Sequence, residues 1–440
     1  MNTVKILTLA LMPIIFSVAG LRAEEVSLWQ LTQLHKAGQQ AYYKSDYPTV
    51  LEKWEQGLKL ARQGKHQGAI SMFISNLGVV YTNLSQDSKA LDYLKQALVI
   101  HQEIGDKRAK AANLTNIGTV YSKLGQYNQA LDSYQQALAI HQELGDKRGV
   151  CADLTNIGVV SYNLGQYNQG LESSQQALAI AKKIGDKRGI EYNLTNIGLV
   201  YSKLGQYNPG LESSQQALAI AKEISDKRGI RNNLTNIGSV YSNLGQYPKA
   251  LDYFKQALAI AKEIGDKRGV GENLTNIGSV YSNLGQYPKA LDYFKQALAI
   301  AKEIGDKRGI GNNLTNIGVV YENFGEYQKA KEAFQESMAI HIAIGSGELW
   351  KTQRGLASAE AKLNQFDAAI KHYEQTIDNI EKICGQITKE HKTSFMQDKL
   401  IIYDKLIALL QSLHQKQPEK GYDRSAIEIF ERKQGRVFFE

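Results

Sequence analysis

Cysteine is nearly absent: Cys151 and Cys384 are the only two in 440 residues. With no CxxC and no HExxH spacing, neither a disulfide framework nor a cysteine-built metal centre is expected. A bond between the two would need their Cα atoms within about 7 Å, so buried, idle thiols are the reading. Proline is scarce as well, at six residues, and Ala, Leu and Gln are abundant, which favours helices over strands. No GxSxG, GxxxxGK[ST] or GxGxxG stands in a strand–turn–helix context, so no catalytic activity and no cofactor are expected. Charge of one sign is not concentrated anywhere. The formal net charge of +8 comes from dispersed Lys and Arg, mostly with Glu and Asp nearby, which argues against nucleic acid as a partner. The eight histidines are scattered. His101, His141 and His341 share one repeat position where other repeats have Ala, and their spacing reads as a solvated helix surface rather than a shared metal site.

One apolar run is present, at the start. Lys5 precedes "ILTLALMPIIFSVAGL", then small residues, then Glu24 and Glu25. A positive residue, a short apolar core and small residues form the pattern of a secretory signal peptide over residues 1–23. Export to a periplasmic or extracellular space is expected, with the mature chain starting at Leu21 or Glu24 and no stable membrane insertion. An uncleaved segment would anchor the protein instead.

What the chain does contain is one sentence repeated. Leu234–Gly269 and Leu274–Gly309 are identical. Glycines recur every forty residues at Gly38, Gly78, Gly118, Gly158, Gly198, Gly238, Gly278 and Gly318, and a ninth, degenerate unit has Ala357 one residue early. Within a unit, Leu234, Ile237, Tyr241 and Leu244 fall on one face of a first helix. Gly245 suits the turn that ends it. Asn128, Asn168 and Asn208, or Pro48, Pro248 and Pro288, start the second helix as caps or first-turn residues. Ala250, Leu251, Phe254, Ala257, Leu258 and Ile260 form its packing face. "IGDKRG" closes the unit, with Gly265 as the stop and Asp266 as the next cap. The small residues Gly238, Ala250 and Ala257 sit where two helices must approach closely.

This spacing of Leu, Gly, Tyr, Gly, Tyr, Ala, aromatic and Ala resembles the tetratricopeptide repeat (TPR). In its forty-residue form it is similar to the repeats of kinesin light chains, of spindle-orientation adaptors and of bacterial arrays fused to caspase-like CHAT protease domains. The resemblance implies an all-α fold, a right-handed α-solenoid (superhelix) of tandem helix-turn-helix repeats with a concave groove, spanning residues 31–380 in about nine repeats. Ser174 and Ser214 stand where the second-helix aromatic is usual, and Gly170 and Gly210 replace Ala. Each missing ring forfeits about 1.5–3 kcal/mol of burial, so the array is expected to be softest there. Residues 385–440 read as a helical pair around the loop "KQPEKGY". They resemble the junction between such repeats and a CHAT domain, with Glu431, Arg432 and Arg436 in the matching helix. The chain stops at Glu440 with no catalytic His or Cys of such a domain, so no protease activity is expected of it alone.

The first helix is uncharged from Asn232 to Tyr247, whereas a solvated face usually carries Lys and Glu. Thr235, Asn236, Ser239, Ser242 and Asn243 are expected on the face opposite Leu234. Asn76, Asn116, Asn156, Asn196, Asn236, Asn276 and Asn316 form one column. An amide both donates and accepts, so this column can hold a peptide backbone of any sequence. The TPR resemblance also implies that an Asn here lines the groove. Variable positions, among them Ala152, Tyr192, Asn232, Glu272 and Asn312, would supply selectivity. At a further groove position Asn243 and Asn283 alternate with Lys123 and Lys203, which would favour an acidic ligand end. The expected role is a scaffold binding a peptide or partner protein. Its rivals are the regulatory part of a CHAT protease and a self-associating structural array. Asn-x-Thr sequons at Asn113, Asn193, Asn233, Asn273 and Asn313 lie inside helices and read as by-products of the repeat rather than glycan sites.

Overall fold

Helix starts and stops repeat with the sequence. In a computed structural model, the structure describes residues 27–385, 392, 395–397 and 399–437. The expected signal segment lies outside the described residues. Among the described residues there are twenty α-helices and no strand. Nine first helices are α1 (Leu28–Tyr43), α3 (Gln67–Asn83), α5 (Lys107–Lys123), α7 (Lys147–Asn163), α9 (Lys187–Lys203), α11 (Lys227–Asn243), α13 (Lys267–Asn283), α15 (Lys307–Asn323) and α17 (Leu349–Lys362). Each is followed by its second helix: α2 (Tyr47–Gln63), α4 (Asp87–Glu103), α6 (Tyr127–Glu143), α8 (Tyr167–Ile184), α10 (Tyr207–Glu223), α12 (Tyr247–Glu263), α14 (Tyr287–Glu303), α16 (Tyr327–Ala343) and α18 (Phe366–Gly385). Two more, α19 (Leu400–Lys416) and α20 (Tyr422–Val437), follow the array. None of the helices among the described residues is long and apolar enough to cross a membrane.

The joints follow local chemistry. Asp226, Asp266 and Asp306 cap α11, α13 and α15 by accepting the backbone N–H three residues on, at 3.0–3.1 Å. Gly265 ends α12 with φ at +66°, which a Cβ would strain. Pro248 and Pro288 stand in the first turn of α12 and α14, where no N–H is missed. The second helices begin one residue before the expected Asn caps. Gln126, Gln166 and Gln206 take the cap position without a side-chain bond, so Asn128, Asn168 and Asn208 are inside the first turn.

The forty-residue glycine is a packing device. A Cβ on Gly238 would lie 2.8 Å from the Phe254 ring, and one on Gly278 2.8 Å from Phe294. Each aromatic of a second helix therefore lies flat on the glycine of its own first helix, and such buried rings contribute about 1.5–3 kcal/mol apiece. Where the ring is missing the helices have closed up: a Cβ on Gly198 would meet Ser214 Oγ at 2.5 Å and the Gly210 carbonyl at 3.1 Å. Ser174 and Ser214 are fully buried and their hydroxyls find no partner.

By packing, the chain divides into two compact units at Val160–Ser161. The first has an apolar core around Trp54, Phe73, Ile74, Leu77 and Leu94. Trp54 is fully buried, and its Nε1–H donates to the His35 carbonyl at 3.2 Å. In the second, one apolar cluster joins Leu171 and Leu204 to Tyr373, Ile377, Phe395 and Met396. Residues far apart in sequence thus close the second unit on itself. Lys203 Nζ donates to Glu348 Oε1 at 2.9 Å, and Arg308 donates to Asn163 Oδ1 at 3.3 Å.

Candidate binding groove

Helical geometry puts residues 232, 236, 239 and 243 of α11 on one face, because steps of four, three and four residues keep to the same side. Asn232, Asn236 and Ser239 are half-buried and Asn243 is exposed, while Leu234, Ile237 and Val240 are buried on the opposite side. The same stripe is Tyr192, Asn196, Leu199 and Lys203 on α9, Glu272, Asn276, Ser279 and Asn283 on α13, and Asn312, Asn316, Val319 and Asn323 on α15. Two expectations about this helix need correction. Leu244 is 39% exposed rather than inward, because it caps the helix beyond the last buried turn, and Val240 takes the inward place. Thr235 is buried rather than outward, because it meets the next repeat.

That meeting is a ladder. Thr195 Oγ1 donates to Asn233 Oδ1, Thr235 to Asn273 and Thr275 to Asn313, at 2.9–3.0 Å. Each Asn turns its Nδ2 to the carbonyl four residues back, Gly229, Gly269 or Gly309, at 2.9 Å. The sequon Asn residues are therefore buried stacking groups, and Asn233, Asn273 and Asn313 use both halves of the amide. The column three residues later behaves differently. Asn196 and Asn236 have Nδ2 atoms shielded from solvent that find no hydrogen-bond partner among the described residues. Asn276 and Asn316 are half-buried like them.

In the first unit the column is closed at its first two positions. Asn76 is 2% and Asn116 6% exposed, with Asn156 half-buried. Asn76 Nδ2 also lacks a partner.

Sequence comparison matches the tetratricopeptide repeat model over residues 69–143, 150–223, 189–263, 229–303, 269–343 and 309–382. The chain belongs to the tetratricopeptide repeat family. Its all-α solenoid of tandem helix pairs is shared by solved structures. A Rap protein complexed with competence and sporulation factor is similar at TM-score 0.61 and 18% identity, covering 82% of this chain and 98% of that one. The apo form of the quorum sensor NprR from B. thuringiensis gives TM-score 0.55 at 18% identity, with 80% and 98% covered. The Rap conjugation gene regulator of plasmid pLS20, in complex with the Phr* peptide, gives 0.54 at 16%, with 72% and 96% covered. Comparison with curated proteins gives no match.

In this TPR chain the two groove lysines are already engaged. Lys123 Nζ donates to the Thr82 carbonyl at 2.5 Å and lies 3.4 Å from Asp87. Lys203 pairs with Glu348, whose other oxygen meets Lys351. Glu348 raises the Lys203 ammonium above its ordinary range. Burial alone would raise the Glu348 carboxyl, but Lys203 and Lys351 outweigh it and hold the group well below the carboxylate range. Neither lysine offers an uncommitted charge to an acidic ligand end. Glu272, a variable stripe position, accepts from Arg231 Nη1 at 2.8 Å.

Buried polar groups that sequence reading missed lie between repeats. The histidines expected on a solvated surface are buried: His101 4%, His141 6% and His341 1% exposed. The end of the second helix α6 packs under the next first helix, α7, so this column is interior there: a Cβ on Gly149 would touch the His141 ring. His141 Nδ1 lies 2.6 Å from Asp153 Oδ2, and Asp153 Oδ1 accepts from Thr115 at 2.7 Å. Asp153 thus fills an Asn rung of the ladder with a charge, and burial pushes its carboxyl up. Glu191, also buried, accepts from Asn233 Nδ2 at 2.8 Å. Lining up the forty-residue columns gives the signal: Asp among Asn, and His among Ala.

After the array, Arg432 donates to Asp378 at 2.7 Å and Tyr403 to Glu381 at 2.9 Å, which ties α20 and α19 to α18. Glu431 is exposed; the Arg436 side chain lies outside the described residues.

Proposed function

We propose that this TPR protein is a binding scaffold, without catalysis of its own, that holds an extended peptide or a peptide-like segment of a partner along the first-helix stripe of the second unit. One observation carries the reading: on the half-buried stripe, the shielded Asn196 and Asn236 amide donors have no acceptor among the described residues. An unpaired buried N–H costs about 1–3 kcal/mol, and a backbone carbonyl of a ligand relieves it regardless of side chain. Asn276 and Asn316 continue the column at the pitch of the repeat. A structural neighbour solved with the Phr* peptide supports the same reading. Variable neighbours such as Tyr192, Leu199 and Asn232 set which side chains fit. Export is part of the proposal, resting on residues 1–23, and N-terminal sequencing of the mature protein should begin at Leu21 or Glu24.

The test is capture of partners from the source cell by the mature chain and by Asn196→Ala/Asn236→Ala/Asn276→Ala. The triple variant should lose partner capture and keep its melting temperature, since Asn196 and Asn236 give up unpaired amides. Loss of stability with capture intact would make the column structural and end the groove reading.

A further inference from the structure

Leu-Gly-Gln-Tyr joins first to second helix at 164–167, 204–207, 244–247 and 284–287, and Phe-Gly-Glu-Tyr does so at 324–327. In the second unit this turn has two fates. Between α7 and α8 it is covered by the chain's own C-terminal part: the Tyr167 ring lies 6.2 Å from that of Phe395, and a Cβ on Gly165 would lie 3.6 Å from Ile383. At the following turn Leu204 is fully buried, in the cluster that also holds Phe395 and Met396. The next three turns are bare, with Leu244, Leu284 and Phe324 each 39–43% exposed. Neighbouring turns touch, so they form one edge: the Tyr287 ring meets Phe324 edge to face at 6.0 Å, and its hydroxyl donates to Asn323 Oδ1 at 3.0 Å.

The same unit carries an apolar pair with nothing to pack on. Ala426 and Ile429 of α20 are buried in the cluster with Tyr403, Leu406 and Leu410 of α19, which holds the helix in place. On the adjoining face Ile427 is 58% and Phe430 48% exposed, and at a spacing of three residues they lie side by side. Charge is complementary as well. Lys249 and Lys289 are exposed beside the bare turns, and neither pairs with an acid among the described residues. The exposed charges around Ile427 and Phe430 are Asp423, Arg424, Glu428 and Glu431, so acids prevail there.

We propose that the bare turn edge docks a second copy of this chain, which sets Ile427 and Phe430 of its α20 against Leu284 and Phe324 and its acids against Lys249 and Lys289. The edge continues a surface that the chain already covers at Tyr167 and Leu204 with aliphatic and aromatic side chains of its own, and α20 offers more of the same chemistry. The edge is made of helix ends rather than of the first-helix stripe, so the inference does not rest on the peptide reading.

Light scattering of the mature chain across concentration should show the mass rising above that of one copy. Leu284→Glu and Phe430→Glu, both at exposed positions, should each weaken the association by about 10- to 100-fold, the worth of one buried apolar side chain, with the melting temperature nearly unchanged. Two differently tagged chains, one carrying Leu284→Cys and the other Phe430→Cys, should form a disulfide between the tags when mixed and oxidised. The natural Cys151 and Cys384 are buried and do not compete. The mass of a single copy at every concentration overturns the proposal. So does an association that either Glu variant leaves intact, or the absence of a cross-link between the tags.

Discussion

In the first unit Asn76 and Asn116 are buried and the inter-repeat rung between α5 and α7 is built on an acid and a histidine, Thr115–Asp153–His141. In the second, the corresponding Asn196, Asn236, Asn276 and Asn316 are half-open and the rungs are Thr–Asn pairs, with the Glu191 carboxyl accepting from Asn233 at the first. The helices are built from the same words, so the difference teaches that a repeat's packing column and its exposed column are set independently. In the first unit a histidine from the preceding second helix meets the acid of the rung, and a stripe is usable only where nothing covers it.

The most severe way to test the contrast is to remove one rung from each unit. Asp153→Ala strips the buried His141 ring of its Asp partner, while Thr115 keeps the Ala111 carbonyl at 3.2 Å, and should cost about 3–5 kcal/mol by urea unfolding. Asn233→Ala should cost less, about 1–3 kcal/mol, because Thr195 keeps the Glu191 carbonyl as acceptor at 2.9 Å. Equal losses would erase the distinction between the Asp–His rung and the Thr–Asn rung.

The two units should also answer acid with opposite signs. Burial holds Asp153 above its ordinary range, so the folded chain keeps a proton that the unfolded chain has released. Its contribution is full below an unfolded pKa of about 3.9 and is lost as pH rises through the folded value. Glu348 is held low by Lys203 and Lys351 against its burial. Its contribution is present above about 4.3 and is lost as pH falls through the folded value. Melting curves between acid and neutral pH should therefore change slope in opposite directions for Asp153→Asn and Glu348→Gln. Parallel changes would mean that one of the two environments is misassigned.

The smallest effect belongs to what the units share. Lys107 pairs with Glu143 in the first and Lys267 with Glu303 in the second, all more than half exposed. Lys107→Ala and Lys267→Ala should each cost below about 1 kcal/mol, less so in high salt. A larger loss for either would show that the surface ladder, not the rungs, separates the units.

Much of the fold was legible because it is local. The Asp caps, the glycine stops and the glycine–aromatic packing each depend on residues within one unit, and forty-residue periodicity announces them. The stripe was legible too, since an uncharged face on an exposed helix needs a reason. Leu244 and Thr235 were misplaced because single-helix periodicity does not show where one repeat ends against another. The histidines were misread for the same cause: their column is solvated in an isolated helix pair and interior in a stack.

By itself, then, the sequence determined the helices, their pairing and the family, because backbone propensity, capping and ring-on-glycine packing act over a few dozen residues. Only the tertiary structure decided which cations are spent and which are not. Lys203 meets Glu348 and Arg308 meets Asn163 across the second unit, while Arg354, Lys362 and Lys405 gather around one cavity without an ion pair among the described residues. Coulomb interaction depends on distance in space, and no period in the sequence encodes the return of a solenoid upon itself.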